Sequence, residues 1–559
     1  MNASQLLAHF DRISDAPYAV PRLRRFILDL AVRGKLVPQH ADEEPAAALL
    51  ERIATEKARL ARAGRARTGT PPPSIAEHEV PFPIPPTWRW VRLGAITSYI
   101  QRGKSPKYAA SEGMPVISQK CVQWAGLDLS VAKLITRESH ADYEAFRFIG
   151  EDDLLWNSTG TGTIGRVIRV VDPPEALVCD SHVTVVRCLH VNAEYVRTWL
   201  RSDHVYGSIE GRAAGSTNQV ELTAQMAAGQ VVPLPPLDEQ RRIVAKVDEL
   251  MALCDRLEVA RGEREDRRDR LVAASLIRLG SPPDEDDAEA NRAHVDFTLG
   301  NLPRLATRPE HIKQLRRAIL ELAVRGRLTS QNAKDGSAPE FDVPDDTAGS
   351  DRLDMVLPIG WRWARVKDVA SARLGKMLDK AKNSGNEFAY LANTNVHWFN
   401  IKSDNLKILK LENAETEKYM LQIGDVLVCE GGHGICRSAV WRGVRKEVAF
   451  QKALHRVRPN EYLSGDFFSF CMFIYFQNGV LQRQFTGVGI PHFTGKALET
   501  PVFPLPPLTE QRRIVAKVDE LMALCDGLEA SLTSAASASR GLLEAVLRDA
   551  LSPVLDEAA

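Results

Sequence analysis

The chain has no hydrophobic run long enough to cross a membrane, and its N-terminus lacks the basic-then-apolar pattern of a secretory signal peptide. Its eight cysteines are scattered and form no CxxC pair, which argues against a disulfide framework. Charge of either sign is not in excess, with 72 Lys and Arg against 72 Asp and Glu. We therefore expect a cytoplasmic protein, and the net charge alone does not favour a nucleic-acid partner.

The usual signatures of catalysis are also missing. No GxxxxGK[ST], HExxH or GxSxG occurs. Residues 160–165 fit GxGxxG, but the β-branched run after them predicts a strand instead of the helix that a dinucleotide site needs. Residues 172–175 read DPPE and lack the aromatic residue of a methyltransferase DPPY motif, so we predict a turn. Cys429, His433 and Cys436 lack further ligands at metal-binding spacing. The chain is predicted to be non-catalytic, with no cofactor and no metal.

The sequence does contain two internal repeats. Residues 233–258 read PLPPLDEQRRIVAKVDELMALCDRLE, and residues 504–529 repeat them with two differences. Residues 23–36, LRRFILDLAVRGKL, recur at 315–328 as LRRAILELAVRGRL. The stretches between the copies barely resemble each other. A framework kept twice with different residues between the copies is expected to present two different surfaces in one geometry.

The two variable stretches share their borders and little else. Each opens on WRW, at 88–90 and 361–363, ends on PLPPL, and contains short β-rich runs broken by glycine and asparagine. Residues 88–236 carry 15 Lys and Arg against 15 Asp and Glu, whereas residues 361–507 carry 20 against 13. One stretch is balanced and the other is basic, which permits DNA binding without deciding it.

A long helix is predicted to follow each PLPPL. No proline occurs between residues 239 and 279, and Asp238 and Thr509 are expected as N-caps. Forty residues of helix would span roughly 60 Å. Such a helix cannot bury its apolar stripe alone, so we expect the two helices to pair as a coiled coil, although each could instead pack on its own domain. The predicted pairing residues are Val247, Leu250, Cys254, Leu257, Val518, Leu521, Cys525 and Leu528.

Polar side chains on predicted loops form the candidate DNA-binding set, since amide, hydroxyl and basic groups bind base edges and phosphates. In the first stretch they are Arg102, Lys104, Ser105, Lys107, Gln119, Lys120, Asn157, Ser158, Thr159, Thr161, Ser216, Asn218 and Gln219. In the second they are Lys376, Lys380, Lys382, Asn393, Asn395, His397, Trp398, Glu430, Arg437, Gln451, Lys452, His455 and Arg456. Any one could be ordinary surface, but as a set they favour recognition.

The repeated blocks, together with GKSPKY, NSTGTGTIGRV and DSHVTVVR in the first stretch and GKMLDK, VCEGGHG and FQKALHRVR in the second, resemble the DNA-specificity subunit of type I restriction–modification enzymes. The resemblance covers nearly the whole chain. It implies an α+β fold with two α/β target recognition domains in a pseudo-two-fold arrangement, separated by two long antiparallel coiled-coil helices.

The expected organisation has six parts. They are an N-terminal helical repeat and linker (1–87), target recognition domain 1 (88–236), the first long helix (237–280), an acidic linker with the second helical repeat (281–360), target recognition domain 2 (361–507) and the second long helix (508–559). No helical repeat follows the second long helix. We therefore expect the N-terminal helix to pack beside its end.

The resemblance also implies partners. Each recognition domain would bind one half of a bipartite double-stranded DNA target, and the helices would set the spacing and dock two methyltransferase subunits. S-adenosylmethionine, ATP and Mg would be bound only by those subunits and by restriction subunits. The alternative functions are a self-contained DNA methyltransferase or nuclease, for which the motifs are missing, and a coiled-coil adaptor that binds no DNA.

Overall fold

A computed structural model of the protein describes residues 16, 18–63, 74–160, 162–207, 209, 221–280, 293, 297, 300–301, 306–343, 351–379, 383–443, 445, 447–487, 489 and 491–551. The chain divides into two compact units. Unit 1 is Met1–Glu263 with Ala536–Ala559, and unit 2 is Arg264–Ala535. Unit 1 therefore joins the N-terminal part of the chain to its last residues.

The α-helices follow the predicted programme. The first six are α1 (Ala19–Val32), α2 (Ala46–Arg62), α3 (Arg137–Ala141), α4 (Ala193–Leu200), α5 (Ala224–Gly229) and α6 (Leu237–Gly280). The next six are α7 (Pro309–Val324), α8 (Val366–Val369), α9 (Asn413–Tyr419), α10 (Gly465–Gln477), α11 (Gly495–Glu499) and α12 (Leu508–Leu551). The long helices α6 and α12 have 44 residues each. Both helices begin directly after the prolines of PLPPL, which cannot continue a helix. This start is one residue earlier than predicted, so Asp238 and Thr509 lie in the first turn and are not the N-caps.

The strands belong to two variable domains, residues 88–236 in unit 1 and 361–507 in unit 2. The first contains β1 (Arg89–Arg92), β2 (Thr97–Arg102), β3 (Met114–Ile117), β4 (Val122–Gln123), β5 (Gly126–Leu127), β6 (Lys133–Ile135), β7 (Leu154–Asn157), β8 (Val167–Arg169), β9 (Val178–Cys179), β10 (Val183–Cys188) and β11 (Val231–Leu234). The second contains β12 (Arg362–Arg365), β13 (Ala370–Leu374), β14 (Asn386–Leu391), β15 (Val396–His397), β16 (Asn400–Ile401), β17 (Lys407–Leu411), β18 (Val426–Cys429), β19 (Ser438–Val440), β20 (Val448–Phe450), β21 (Leu454–Pro459) and β22 (Val502–Leu505).

Both variable domains have the same sheet topology. A four-stranded antiparallel sheet has the order β2-β10-β7-β8 in the first and β13-β21-β18-β19 in the second. A three-stranded sheet, β6-β3-β9 or β17-β14-β20, contains one parallel pair in each domain. The small pairs β4-β5 and β15-β16 complete the match. As predicted, the GxGxxG segment connects strands β7 and β8.

The borders of each domain form a two-stranded sheet. The WRW strand β1 pairs with the PLPPL strand β11, so that Trp90 lies opposite Pro233, and β12 pairs with β22, so that Trp363 lies opposite Pro504. Proline is tolerated here because a two-stranded sheet has only edge strands. The chain therefore enters and leaves each domain at one place, where the long helix begins.

The first residues of each long helix hold the domain to this border. Trp88 Nε1 donates to Glu239 Oε2 at 2.9 Å, and Trp361 Nε1 donates to Glu510 Oε2 at 2.9 Å. The next residue, Gln240 or Gln511, donates through Nε2 to a proline carbonyl of PLPPL at 2.9 Å. Repetition of the WRW, PLPPL and EQ segments thus reflects one set of hydrogen bonds made twice.

The N-terminal helix α1 contacts both long helices within unit 1. Arg24 bonds to Asp255 and Glu258 of α6 at 2.6 and 2.8 Å. On the α12 side, Ala16 and Ala19 form a buried cluster with Leu543 and Val546. The prediction that the N-terminal helix packs beside the end of the second long helix is confirmed by this cluster.

Unit 2 uses the second copy of the repeat in the same way. Arg316 of α7 bonds to Asp526 and Glu529 of α12 at 2.7 and 2.9 Å. At the other end of α7, His311 Nε2 lies 2.8 Å from Asp269 Oδ1 of α6. These polar contacts lie beside an apolar core that includes Ile312 of α7 and, packed against it, the partly buried Leu276 of α6.

The eight residues predicted to pair the long helices are buried or half-buried, as an apolar stripe requires. Those of α6 (Val247, Leu250, Cys254 and Leu257) join the core that includes α1, and those of α12 (Val518, Leu521, Cys525 and Leu528) join the core that includes α7. Their described contacts lie inside their own unit, and pairing of one set with the other stays a prediction. The predicted α+β class with two long helices is confirmed. Among the described residues, no helix is long and apolar enough to span a membrane.

Candidate nucleic-acid interface

Each variable domain gathers several connections at one edge of its four-stranded sheet. Because neighbouring strands are antiparallel, the segments that follow β2, link β7 to β8 and precede β10 all lie at the same edge. We call this the loop edge. Its described residues are 103–108, 158–160, 162–166 and 180–182 in the first domain, and 375–379, 430–437 and 451–453 in the second.

Glycine is required where the loop edge begins. A Cβ on Gly103 would lie 2.2 Å from the carbonyl oxygens of Cys179 and Asp180, and a Cβ on Gly375 would lie 2.2 Å from that of Gln451. The amide of Gly103 donates to Val183 O, and that of Gly375 to Leu454 O, both at 2.9 Å. Two chain segments therefore cross at van der Waals distance in both domains.

A lysine follows this glycine in each domain and lies near a tyrosine ring. Lys104 Nζ is 5.8 Å from the Tyr143 ring centre, and Lys376 Nζ is 5.7 Å from that of Tyr419. Lys104 is exposed and donates to a backbone carbonyl, whereas Lys376 forms an ion pair with Glu415. The charge of Lys104 is therefore accessible from solvent, whereas that of Lys376 is neutralised by Glu415.

The end of the sheet opposite the loop edge is fixed by a buried ion pair. In the first domain, Arg187 binds the fully buried Asp153 through two bonds of 2.8 and 2.6 Å. In the second, Arg458 binds Asp425 through bonds of 2.6 and 2.8 Å. A bidentate pair of this kind fixes both strands and orients the sheet beneath its loops.

Six predicted residues of the first domain lie at or beside the loop edge with accessible side chains. Lys104, Ser105, Lys107 and Lys120 are exposed, and Arg102 and Gln119 are half-buried. Arg102 is partly engaged, since its Nε donates to Ser181 O at 2.7 Å and its guanidinium pairs with Glu221 at 3.0 Å. Thr161, Ser216, Asn218 and Gln219 lie outside the described residues.

Three predicted DNA contacts of the first domain need correction, because their side chains are buried. Asn157 and Ser158 are fully buried, and Thr159 is 5% exposed. Asn157 Nδ2 donates to the carbonyls of Gln119 and Thr163 at 3.0 and 3.2 Å, and Thr159 Oγ1 lies 2.7 Å from His182 Nδ1. These side chains fix the shape of the glycine-rich connection and are not available to a ligand.

In the second domain, most predicted residues are accessible in part. Lys452 is exposed, whereas the half-buried members are Asn393, Asn395, His397, Trp398, Glu430, Arg437 and Gln451. Asn395 closes the β15–β16 hairpin, accepting from Ala392 N and donating to Lys402 O at 2.9 Å each. Burial, together with Lys402 and Arg437, lowers the pKa of the His397 imidazole.

Two predicted contacts of the second domain need the same correction. His455 and Arg456 are 2% and 6% exposed, because β21 is the second strand of a four-stranded sheet and is covered. His455 Nε2 lies 2.8 Å from Phe493 O, and Arg456 donates to Lys418 O at 3.2 Å. Burial lowers the pKa of both side chains. Lys380 and Lys382 lie outside the described residues.

Two further residues, Arg166 at the loop edge and His492 in contact with it, are not among the predicted DNA contacts. Arg166 ends the glycine-rich connection and donates to Gln123 Oε1 and Gly162 O at 2.9 and 2.8 Å. His492 Nδ1 lies 3.2 Å from Glu430 Oε1. Arg166 directly follows the GxGxxG segment and could have been selected. His492 is 62 residues from Glu430, and no local pattern connects them.

No group of three or more His, Cys, Asp or Glu side chains is placed to hold a metal in the part of the chain that the structure describes. Cys429 and Cys436 are buried in the second domain. Burial raises the pKa of the Cys429 thiol to about 12, so the thiolate that metals prefer is disfavoured at neutral pH.

Comparison with known proteins gives one consistent family. Residues 358–535 match the family model described as the type I restriction modification DNA specificity domain. The specificity subunit of the type I restriction enzyme EcoAI from Escherichia coli is 27% identical, over 96% of this chain and 94% of that protein. The EcoEI specificity subunit, also from Escherichia coli, is 26% identical over the same shares.

A solved structure is similar as well. The HsdS subunit from Thermoanaerobacter tengcongensis is 20% identical to this chain. The match covers 84% of this chain and 98% of that one, with a TM-score of 0.43.

Proposed function

We propose that this chain, a DNA-specificity subunit of the type I restriction–modification family and a non-catalytic component of such complexes, binds one half of a bipartite DNA target with each variable domain. One observation carries the proposal. Both domains build the same loop edge on the same sheet and border, while the side chains at that edge differ. A protein that reads two different base sequences needs different hydrogen-bond donors and acceptors at the two equivalent positions.

The accessible residues divide by chemistry. Exposed lysines such as Lys104, Lys107 and Lys452 suit phosphate oxygens, which position a protein on DNA without reading sequence. Amide and guanidinium groups suit base edges, since glutamine or asparagine binds adenine and arginine binds guanine in the major groove. We assign base reading to Gln119 in the first domain and to Asn393, Gln451 and Arg437 in the second.

Exchange of one variable domain tests this proposal. Residues 361–503 would be replaced by the equivalent stretch of another specificity subunit, and the methylated sequences of the host genome would be mapped. We expect one half of the bipartite motif to change while the other half and the spacing stay the same, because the border hydrogen bonds and long helices are retained. A change in both halves would contradict the assignment of one half-site to each domain.

The repeated elements are proposed to dock two methyltransferase subunits and to set the distance between half-sites. S-adenosylmethionine would be bound by those subunits, and ATP and Mg by restriction subunits. In support, α1 with α6 and α7 with α12 form the same ion-pair pattern twice, through Arg24 and Arg316. Two similar surfaces suit two copies of one partner.

Deletion of residues 1–40 tests the docking part. The deletion removes α1 and uncovers Leu543 and Val546 of α12, so we expect the affinity for methyltransferase subunits to fall at least tenfold. Titration of the purified chain with those subunits measures this. Arg22→Ala is the control, because its ion pair with Glu544 is exposed and should contribute little. Unchanged assembly after the deletion would exclude α1 from the docking surface.

A further inference from the structure

Unit 2 contains a cavity of about 190 Å³ between the second variable domain and the first half of α12. This is smaller than the roughly 300–1,000 Å³ of small-molecule sites, so it suits a single side chain. Its walls include Phe399, Arg442, Asp466, Ser469, Phe470 and Asp519.

Two carboxylates and one cation give the cavity its charge. Arg442 bonds to Asp466 at 2.6 Å, but the arginine side chain is 64% exposed and the aspartate side chain is 25% exposed. Asp519 projects from α12, and no ion pair with it is found among the residues that the structure describes. Burial raises the pKa of the Asp466 carboxyl, Arg442 opposes this rise, and the nearby Asp519 adds to it. The cavity therefore has an unbalanced negative charge beside aromatic walls.

Unit 1 shows what the same position can hold. The start of α4 and the start of α10 are equivalent, because Gln240 Oε1 accepts from Asn192 N at 2.9 Å and Gln511 Oε1 accepts from Ser464 N at 2.7 Å. Two residues further on, Glu194 corresponds to Asp466. Three residues after that, Arg197 corresponds to Ser469.

Ring contacts confirm this alignment. Tyr195 of α4 packs edge-on against Trp88, with ring centres 6.2 Å apart. Phe467 of α10 packs edge-on against Trp361, with ring centres 6.0 Å apart. Tyr195 and Phe467 follow the two equivalent carboxylates directly.

In unit 1, a guanidinium satisfies the carboxylate from within the chain. Arg197 Nε donates to both oxygens of Glu194, at 2.7 and 2.9 Å, and Arg169 approaches the same carboxylate at 3.4 Å. In unit 2, Arg442 is the single arginine bonded to Asp466 among the described residues, since Ser469 stands where unit 1 has Arg197. The cavity lies beside Ser469.

We propose that this cavity binds an arginine side chain presented by a partner protein. The guanidinium would lie between Asp466 and Asp519, and the aliphatic stem would lie against Phe399 and Phe470. Arginine suits the site better than lysine because its planar fork matches a carboxylate with two bonds and packs on aromatic faces. The internal precedent is Arg197 on Glu194.

L-arginine amide is the probe for the first test. Calorimetric titration of the full chain is expected to show millimolar binding that is at least fivefold tighter than that of L-lysine amide. Asp519→Ala, on an exposed position of α12, should weaken arginine binding at least fivefold. The matched control is Asp248→Ala at the equivalent position of α6, which should leave binding unchanged. Absence of binding, or equal loss in both variants, would overturn the proposal.

A second variant closes the cavity from within. Ser469→Arg introduces the residue that unit 1 has at the equivalent position, and its guanidinium should occupy the cavity and abolish binding of L-arginine amide. Ser469→Ala should retain binding. A folded Ser469→Arg chain that binds the probe as tightly as the parent would contradict the assignment.

For the identity of the partner, the inference rests on the proposed function. Asp519→Ala is expected to lower the affinity for methyltransferase subunits about tenfold, and Asp248→Ala less than twofold. If the chain binds L-arginine amide and Asp519→Ala leaves assembly unchanged, the methyltransferase is excluded as the source of the arginine. That result would leave DNA reading untouched, because the domain exchange tests it separately.

Discussion

The glycine-rich connections of the two variable domains follow one backbone path with different residues. Asn157 N donates to Arg166 O at 2.8 Å in the first domain, and Cys429 N donates to Arg437 O at 2.9 Å in the second, with one residue fewer between them. Gly165 and its counterpart Cys436 both have a positive φ, of 82° and 63°. Backbone hydrogen bonds common to both domains therefore set the path of this connection, so its accessible side chains can differ.

Different groups lie behind these connections. In the first domain, the buried hydroxyl of Ser158 bonds to that of Thr184. In the second, the equivalent residues are Glu430 and His455, and Glu430 contacts His492. One domain has neutral hydroxyls where the other has titratable groups. Equivalent substitutions in the shared sheet should therefore destabilise both domains alike, whereas a change of pH should affect their stability differently.

The largest effect is expected from breaking the buried ion pair that lies at the end of each four-stranded sheet opposite the loop edge. Asp153→Ala leaves Arg187 without its partner, and Asp425→Ala does the same to Arg458. Each should destabilise its own unit by about 3 kcal/mol, the lower end of the range for a broken buried pair, because each arginine is partly exposed. Hydrogen exchange resolved by peptide measures the loss of protection in each four-stranded sheet.

The matched control for this pair is Glu144→Ala. Its ion pair with Arg147 is half exposed at 49% on the glutamate side, so solvent screens it and the change should have little effect on stability. A much larger loss in one variable domain than in the other would show that the two frames are not equivalent.

An intermediate effect is expected at the glycines where the loop edge begins. Gly103→Ala and Gly375→Ala place a Cβ against backbone oxygens, so each should destabilise its unit by about 1–3 kcal/mol through forced displacement of the loop. Urea unfolding and DNA affinity of the assembled complex measure the two consequences. Gly229→Ala in α5, where a Cβ meets nothing within 4 Å, is the control. Unchanged stability in both variants would show that the loops relax freely.

The smallest effect expected is a difference between the two domains in how their stability depends on pH. Burial lowers the pKa of His455 below its ordinary value of about 6.5, although the nearby Glu430 and the Phe493 carbonyl oppose this. The neutral ring therefore stabilises the fold above about pH 6.5, and this contribution is lost as pH falls below that value, because the unfolded chain then binds the proton more readily.

Protection of the β18–β21 pair should therefore fall between pH 7.5 and 5 more than that of β7–β10, whose equivalent residue is Thr184. His455→Gln, which keeps a donor for Phe493 O and does not titrate in this range, should reduce the difference. An equal fall in both domains would exclude His455 as its origin.

The repeated framework of long helices and domain borders could largely be predicted, because its sequence occurs twice in the chain. Helices α6 and α12 follow from the absence of proline and the 3–4 spacing, and their start follows from PLPPL. The roles of Glu239 and Gln240 could not be predicted, because their partners Trp88 and Asn192 are distant in sequence.

The site could be predicted only in part. Lys104, Lys107 and Lys452 are accessible, as polar loop residues usually are. Asn157 and His455 have the same polar character, yet they are buried, because an isolated pattern does not show which side of a strand end faces the core. His492 pairs with Thr486 through an antiparallel bridge and contacts Glu430, and no local sequence pattern indicates either contact.

The sequence by itself determined the duplicated framework, the two variable domains and the α+β class, because these depend on repetition and local periodicity. The tertiary structure decided which polar residues are accessible and which fix the loops. It also decided that Asp466 and Asp519 share a cavity where unit 1 places Arg197 on Glu194. The physical reason is that burial and charge pairing depend on neighbours that are distant in the chain.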